Sequence, residues 1–218
     1  MDGIPRLKLF SQNVNKSLAA TMVLKRRVTD TPTILSIQEP NIAGGCIRGM
    51  GGLDYVTSGT DQSEGPCRCN VVCAYNDKVK LQHKQQLDSK SSISVLKATP
   101  GKLAVTCVYW NLKDNIADEI QHMRQVCSRF SSEPWIMVGD TNCRHVLWGD
   151  RASDERGRQL AAAIEDLGLL VAQNKLPTFV GPAGQSSPDV LVMNREAAEC
   201  ITDYGVYCDE NLSDHLLI

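Results

Sequence analysis

One stretch constrains this chain more than any other: Trp135-Ile136-Met137-Val138-Gly139-Asp140-Thr141-Asn142. Four apolar residues, three of them with β preference, run into Gly-Asp-Thr-Asn, the pattern of a buried strand that delivers a carboxylate and a carboxamide from its C-terminal end. That position is where α/β folds keep their chemistry. On an extended backbone Asp140 and Asn142 point the same way. Both can then face one phosphate-like anion, the carboxylate orienting a water or a metal and the amide offering a donor that does not repel the anion. The alternative is that Asp140 caps the following turn, as Asp and Asn commonly do.

The same grammar recurs along the chain. Residues 7–13 read as a first strand ending on Gln12-Asn13, with a helix from about Ser17 to Arg27 behind it. Thr33-Ile34-Leu35-Ser36-Ile37 is a second buried strand, closed by Gln38-Glu39-Pro40, where the proline ends regular structure and leaves Glu39 at a strand terminus. Glu39 is either chemically placed there or simply exposed in a loop. Strands are expected near residues 53–58, 69–75, 92–97 and 103–109, the last ending on Tyr109. Gly44-Gly45 and Gly49-Met50-Gly51-Gly52 form a loop without the strand and GxxxxGK[ST] context of a phosphate-binding P-loop. Ile116, Ile120, Met123, Cys127 and Phe130 recur at helical spacing behind Asn115, giving an amphipathic helix over 115–131. A second helix covers about 154–167, with Ser153 as its cap and Gly168 as its stop.

Residues 169–172 begin another strand, residues 176–187 read as a hairpin with a Gly-Pro-Ala-Gly tip, and Asp189 opens the strand Val190-Leu191-Val192-Met193. After a short helix at 196–200, residues 204–207 and 212–217 supply the last strands.

Composition bounds the class. The chain has 218 residues with 42% hydrophobic content, enough for a sizeable core. No run reaches the ~20 apolar residues that span a bilayer, and the N-terminus lacks a secretory pattern; an intracellular chain without a membrane partner is expected. Nine cysteines, irregularly spaced, point to reduced thiols rather than a disulfide framework. Cys67, Cys69 and Cys73 read as small buried hydrophobes of a strand rather than a metal site. Charge is unevenly distributed: residues 1–102 carry 14 Lys/Arg against 8 Asp/Glu, and residues 103–218 carry 9 against 17. The acidic half suits a divalent cation and the basic half a flanking polyanion, although ordinary solvated surface gives the same counts.

Polar residues thus interrupt or end apolar strands at Asn13, Glu39, Tyr109, Asp140, Asn142, Asp189, Asp214 and His215, which suggests one pocket. Asp214-His215 inside a Leu-rich strand is the sharpest case, because an ionisable pair is costly to bury without partners. Asp189 offers the carboxylate that would hold an imidazole in one tautomer and stabilise its charged form.

These residues, in this order and rough spacing, resemble the exonuclease III/deoxyribonuclease I superfamily. Gly-Asp-x-Asn-x-x-His-x-x-Trp-Gly (139–149) with a terminal Ser-Asp-His (213–215) is similar, within it, to the apurinic/apyrimidinic-endonuclease-like domain of non-LTR retrotransposons, particularly the insect telomeric-repeat-targeting TRAS type. The resemblance covers essentially the whole chain. It implies an α/β (α+β) four-layered sandwich, two packed mixed β-sheets flanked by helices, in a single endonuclease domain, residues 1–218, excised from a longer polyprotein.

It also implies Mg²⁺-dependent hydrolysis of a DNA phosphodiester, with Mn²⁺ able to substitute and no small-molecule cofactor. The nick leaves a 3′-hydroxyl that primes a reverse transcriptase domain of the same polyprotein, in the nucleus. By the resemblance Glu39 ligates the metal, helped by Asn13 and Asp214. Asp140 positions or deprotonates the attacking water, Asn142 holds the phosphate, and Tyr109 contacts it or tunes the site. His215, oriented by Asp189, transfers a proton or stabilises the transition state.

For the double-stranded DNA partner, the hairpin at 178–186 is expected to enter a groove, with Thr178 and Ser186 or Ser187 on the backbone; an ordinary connecting turn is the alternative. Arg144 and His145 form a second expected DNA contact, with Trp148 either joining them or lying in the core. Asn15 and Pro188-Asp189-Val190 depart from the repair-class pattern, which weighs against an abasic-site repair enzyme. Phosphoinositide phosphatases and sphingomyelinases share the fold, and a catalytically dead DNA-targeting module is the non-enzymatic alternative.

Overall fold

The computed structural model describes residues 6–59, 69–86, 94–99, 103–208 and 212–218. The first half contains β1 (Lys8–Asn13), α1 (Leu18–Lys25), β2 (Thr33–Gln38), a small hairpin of β3 (Ile42–Ala43) and β4 (Cys46–Ile47), β5 (Asp54–Gly59) and β6 (Cys69–Tyr75). The second holds β7 (Lys80–Gln86), β8 (Ser94–Thr99), β9 (Leu103–Tyr109), α2 (Ile116–Arg129), β10 (Trp135–Asp140), a 3₁₀ turn (Val146–Trp148), α3 (Glu155–Asp166), β11 (Leu170–Val171), β12 (Phe179–Gly181), β13 (Gly184–Ser186), β14 (Asp189–Met193) and α4 (Arg195–Ala198).

One sheet has the order β1-β2-β6-β5, the other β11-β14-β10-β9-β8-β7, and each mixes parallel with antiparallel pairs. The strand period of two sorts β10 between two cores. Trp135 and Met137 turn outward against α2 and α3, with Met123, Val126, Leu160 and Ile164. Ile136 and Val138 turn inward and meet Ile34, Val71, Cys73, Val105, Cys107 and Leu191 between the sheets. On the far side α1 lays Ala20 and Leu24 over Leu35, Ile37, Val72 and Ala74. Helix, sheet, sheet and helix are therefore the four layers. Among the described residues no helix is long and apolar enough to cross a membrane.

Several expectations need correcting. The cap of α3 is Asp154, whose carboxylate accepts from the Gly157 N–H at 2.6 Å, not Ser153. A Cβ at Gly157 would come within 1.9 Å of the Arg144 carbonyl, so this helix end is pinned to the loop after β10. The strand β7 is an addition to the expected elements: Lys-Leu-Gln-His-Lys-Gln-Gln has no apolar alternation, yet its backbone pairs along β8 at the sheet edge, where lysine is tolerated. Residues 204–207 and 212–217 form no continuous strand: they carry isolated bridges, Phe179 to His215 and Tyr207 to Leu217, and the chain bends at Ser213 and Asp214. Of the strand expected at 92–97, residues 94–97 belong to β8, and residues 92, 93 and Cys67 lie outside the described residues. The cysteines in the described residues are free thiols, Cys69 and Cys73 among them.

Candidate active site

Register places the polar strand ends in one row. Asp140 pairs across the sheet with Tyr109 on one side and Asp189 on the other, and Asn13 pairs with Gln38 in the facing sheet. Counting alternately from Ile136, Asp140 faces inward, so the row looks into the gap where the sheets end. Gly139 makes the approach possible: its φ is +144°, and a Cβ added there would stand 2.1 Å from the Val108 carbonyl, so only hydrogen fits.

Asn13 is the joint between the two sheets. Its Nδ2 donates to Asp140 Oδ2 at 2.9 Å and to Glu39 Oε2 at 3.1 Å, so two carboxylates share one amide. Glu39 reaches inward because its φ is +47°, which breaks the alternation after β2. Its side chain is 23% exposed, within 3.8 Å of Lys16 Nζ, and it accepts the Tyr109 hydroxyl. Burial, together with the Glu39 and Asp140 charges, holds the Tyr109 phenol protonated far above its ordinary range.

His215 closes the row. Its Nδ1 lies 2.9 Å from Asp189 Oδ2 and its Nε2 3.8 Å from Asp140 Oδ2. Gln12 Nε2 donates to its backbone carbonyl at 2.9 Å, and the Phe179 ring stands edge-on at 5.0 Å. Burial pulls the imidazole pKa down, but the Asp189, Asp140 and Asp214 carboxylates outweigh it and raise the pKa to about 9. Burial, with the Asp189 charge, pushes Asp140 up to about 6, against the lowering effects of His215, Asn13 and the Asn142 N–H. At neutral pH the site therefore presents an imidazolium beside a carboxylate poised near its titration point.

Asp140, Asp189 and His215 offer ligand atoms within 4.8 Å of one another, a group that could hold a cation. The 2.9 Å contact of His215 with Asp189 is already a hydrogen bond, so a hard ion fits better at the oxygen-rich end of β1. There Glu39 meets Asn13, Asn13 Oδ1 accepts the Asn15 N–H at 2.9 Å, and Asn15 Nδ2 lies 3.4 Å from each oxygen of Asp214. Of the three residues expected to bind metal, Glu39 and Asn13 are in direct contact and Asp214 is linked to them through Asn15.

Asn142 departs from the expected geometry. Its φ is +50° and its N–H donates to Asp140 Oδ1 at 2.9 Å, so the chain turns immediately after the strand rather than continuing it. Its side-chain amide donates to the Trp110 carbonyl at 2.9 Å. Both readings of Asp140 therefore hold: it caps the turn with one oxygen and faces the site with the other.

The expected DNA contacts separate into exposed and buried residues. Thr178 is fully buried: its hydroxyl accepts from the Asp189 N–H at 3.2 Å and its N–H donates to the Ser186 carbonyl, so it clasps the hairpin base to the catalytic strand instead of facing solvent. Ser187 is also buried, with its N–H on Asp150 Oδ2 at 2.7 Å. Ser186 is partly exposed. Arg144 forks onto Asp150, His145 accepts the Leu147 N–H through Nδ1 at 3.1 Å, and Trp148 is core, donating to the Ser187 carbonyl. Asn174, absent from the sequence expectations, donates to the Asp189 carbonyl and accepts the Tyr204 hydroxyl. A polar residue after a two-residue strand gave no signal for it.

Two mixed sheets under helices, with acids and a histidine at one set of strand ends, define the deoxyribonuclease I-like architecture of AP endonucleases. An AP endonuclease from Archaeoglobus fulgidus superposes with a TM-score of 0.69 at 15% identity, covering 97% of each chain. The endonuclease domain of TRAS1, a telomere-specific non-LTR retrotransposon, superposes with a TM-score of 0.79 at 22% identity, covering 96% of this chain and 94% of that one. A probable RNA-directed DNA polymerase from transposon BS of Drosophila melanogaster is 29% identical over 116 residues, 53% of this chain but 11% of that protein's length. Residues 103–218 match the endonuclease-reverse transcriptase family, and the chain belongs to it.

Proposed function

We propose that the chain nicks one strand of duplex DNA in a divalent-metal-dependent hydrolysis, leaving a 3′-hydroxyl for a reverse transcriptase carried by the same polyprotein in the nucleus. The observation that carries this reading is the continuous line Glu39, Asn13, Asp140, His215, Asp189, linked by contacts of 3.1, 2.9, 3.8 and 2.9 Å. It brings three carboxylates and an imidazole into one row, which supports a reading with a metal-binding carboxylate, a base and an acid acting together.

Glu39 and Asp214, with Asn13, are the residues to hold Mg²⁺, which when bound would supply positive charge to the phosphate. Asp140, held by Asn13 and the Asn142 N–H, orients the attacking water and accepts its proton. His215, charged and fixed by Asp189, donates to the phosphate oxygens as negative charge develops. Tyr109 holds Glu39 from the side and stays a hydrogen-bond donor. Asn142 fixes the turn that aims Asp140.

Supercoiled plasmid incubated with Mg²⁺ is expected to become open circles whose nicks a DNA polymerase extends without end processing, and EDTA or His215→Ala to abolish it. Nicks that the polymerase cannot extend, or relaxation that persists in EDTA, refute the reading. Sequencing the nick positions on a telomeric-repeat duplex against a scrambled one tests whether this chain shares the target preference in the TRAS1 description.

A further inference from the structure

Outside the catalytic row, a cavity of about 180 Å³ opens between Gly149, Asp150 and Arg151, the segment Lys175-Leu176-Pro177, and Gln185, Ser186 and Ser187 of the hairpin's return strand. Its charge is not what its residue types suggest. The Asp150 carboxylate takes the Arg144 fork (3.2 Å to each oxygen), the Ser187 N–H at 2.7 Å and the Ala152 N–H at 3.2 Å, so its charge is offset by the guanidinium and its oxygens are turned to these donors. Lys175 makes no ion pair among the described residues, and Arg151 only grazes Gln185 Oε1 at 3.5 Å. Both cations are exposed at the rim. In the wall Ser187 is buried and its N–H is held by Asp150 Oδ2 at 2.7 Å, so the backbone behind the two cations is fixed.

We infer that this cavity seats one backbone phosphate of the DNA strand beside the phosphate being cleaved, held by Arg151 and Lys175. The inference rests on the duplex-nicking reading. Phe179 bridges to His215 on one side and pairs with Ser186 on the other, so the cavity wall stands two strand spacings, about 10 Å, from the histidine. Phosphates of one strand advance ~3.4 Å along the duplex axis and, because the backbone also winds around it, stand farther apart than that in space, which puts the seated group roughly one or two linkages from the nick. The hairpin stands between the two phosphates and sets their separation.

The test combines equilibrium binding of a short duplex with nicking, using the full chain, the double variant Arg151→Ala with Lys175→Ala, and Lys78→Ala at the opposite end of the sandwich. Removing the two rim cations is expected to weaken binding about tenfold and to lower the slope of log affinity against log salt by about 1, as loss of one phosphate contact requires, while Lys78→Ala changes neither. An uncharged methylphosphonate roughly one or two linkages from the nick should slow the full chain and leave the double variant indifferent. An unchanged slope, an equal drop with Lys78→Ala, or methylphosphonate sensitivity retained in the double variant overturns the inference. A chain that shows the slope difference without nicking keeps the phosphate seat and refutes the hydrolytic reading; one that neither binds nor nicks duplex refutes both.

Discussion

Asp140 and Lys175 sit at the same end of the sandwich and are built on opposite terms. Asp140 is 1% exposed and bonded to Asn13 and the Asn142 N–H, with its pKa displaced by burial and neighbouring charge. Lys175 is exposed and has no ionic partner among the described residues. Buried, interlocked groups hold charge where it must develop during reaction and act mainly on rate. Exposed cations beside a clasped hairpin act through the duplex's own charge, and hence on affinity and position. The comparison predicts that substitutions at the two places fail in different assays.

The sharpest way to break it is Asp140→Asn, which keeps the volume and an acceptor for Asn13 but removes the base. Nicking should fall by at least about 10²–10³-fold, the scale for losing one preorganised stabilising group, with duplex affinity changed less than the about tenfold expected of the rim-cation variant. Single-turnover plasmid nicking and equilibrium binding measure the two separately. If Asp140→Asn lowers affinity and leaves the rate of the bound enzyme unchanged, the division between the two regions collapses.

A smaller effect concerns pH. In the metal-free protein Asp140 sits at about 6, so its ionised form is lost as pH falls through that value. His215 sits at about 9, above its ordinary 6.5; its imidazolium contributes stability that is complete below pH 6.5 and lost as pH rises through about 9. NMR titration of the His215 ring without metal should report the high value. With Asp189→Asn the raising charge and hydrogen bond go while burial remains, so the ring should titrate lower and the alkaline limb of the nicking profile should move toward neutral. A bound cation lowers both values, since it favours the carboxylate and opposes the imidazolium. A ring in the Asp189→Asn variant that titrates where it does in the parent chain would show that Asp189 does not set the charge of this pole.

How legible these regions are in the sequence follows the same division. Asn13, Glu39, Tyr109, Asp140, Asp189 and His215 stand out because a polar residue ending an apolar strand violates local pattern, and strand period then puts them on one face. Buried strands with helices between them give only an α/β class, and the two mixed sheets follow from the resemblance carried by residues 139–149 and 213–215. What stays hidden has no local cost to reveal it. The strand β7 is largely polar and is held by backbone pairing to β8, which side-chain pattern does not report. The loop residue Asn174 meets the Asp189 carbonyl and Tyr204 only once β14 and the segment after α4 are folded around it. Thr178 reads as a DNA contact from its place in the hairpin, because whether a hairpin base faces solvent or the sheet is decided by the strand it lies on. Asn142 bends away from the expected extended geometry because its N–H has the Asp140 carboxylate within reach.

Thr178 also gives the mildest test, and one that reaches the boundary between the two regions. Its hydroxyl accepts the Asp189 N–H, and Thr178→Val keeps the shape while leaving that buried donor without a partner, at a cost of about 1–3 kcal/mol. Urea unfolding should report the loss. Because the residue is fully buried, affinity for duplex and its salt dependence should stay as they are. The nicking rate should fall modestly as the Asp189 end of β14 loosens beneath His215. Lower affinity at undiminished stability would instead place Thr178 on the DNA, and the line between a buried pole that sets rate and an exposed flank that sets position would have to be redrawn through the hairpin itself.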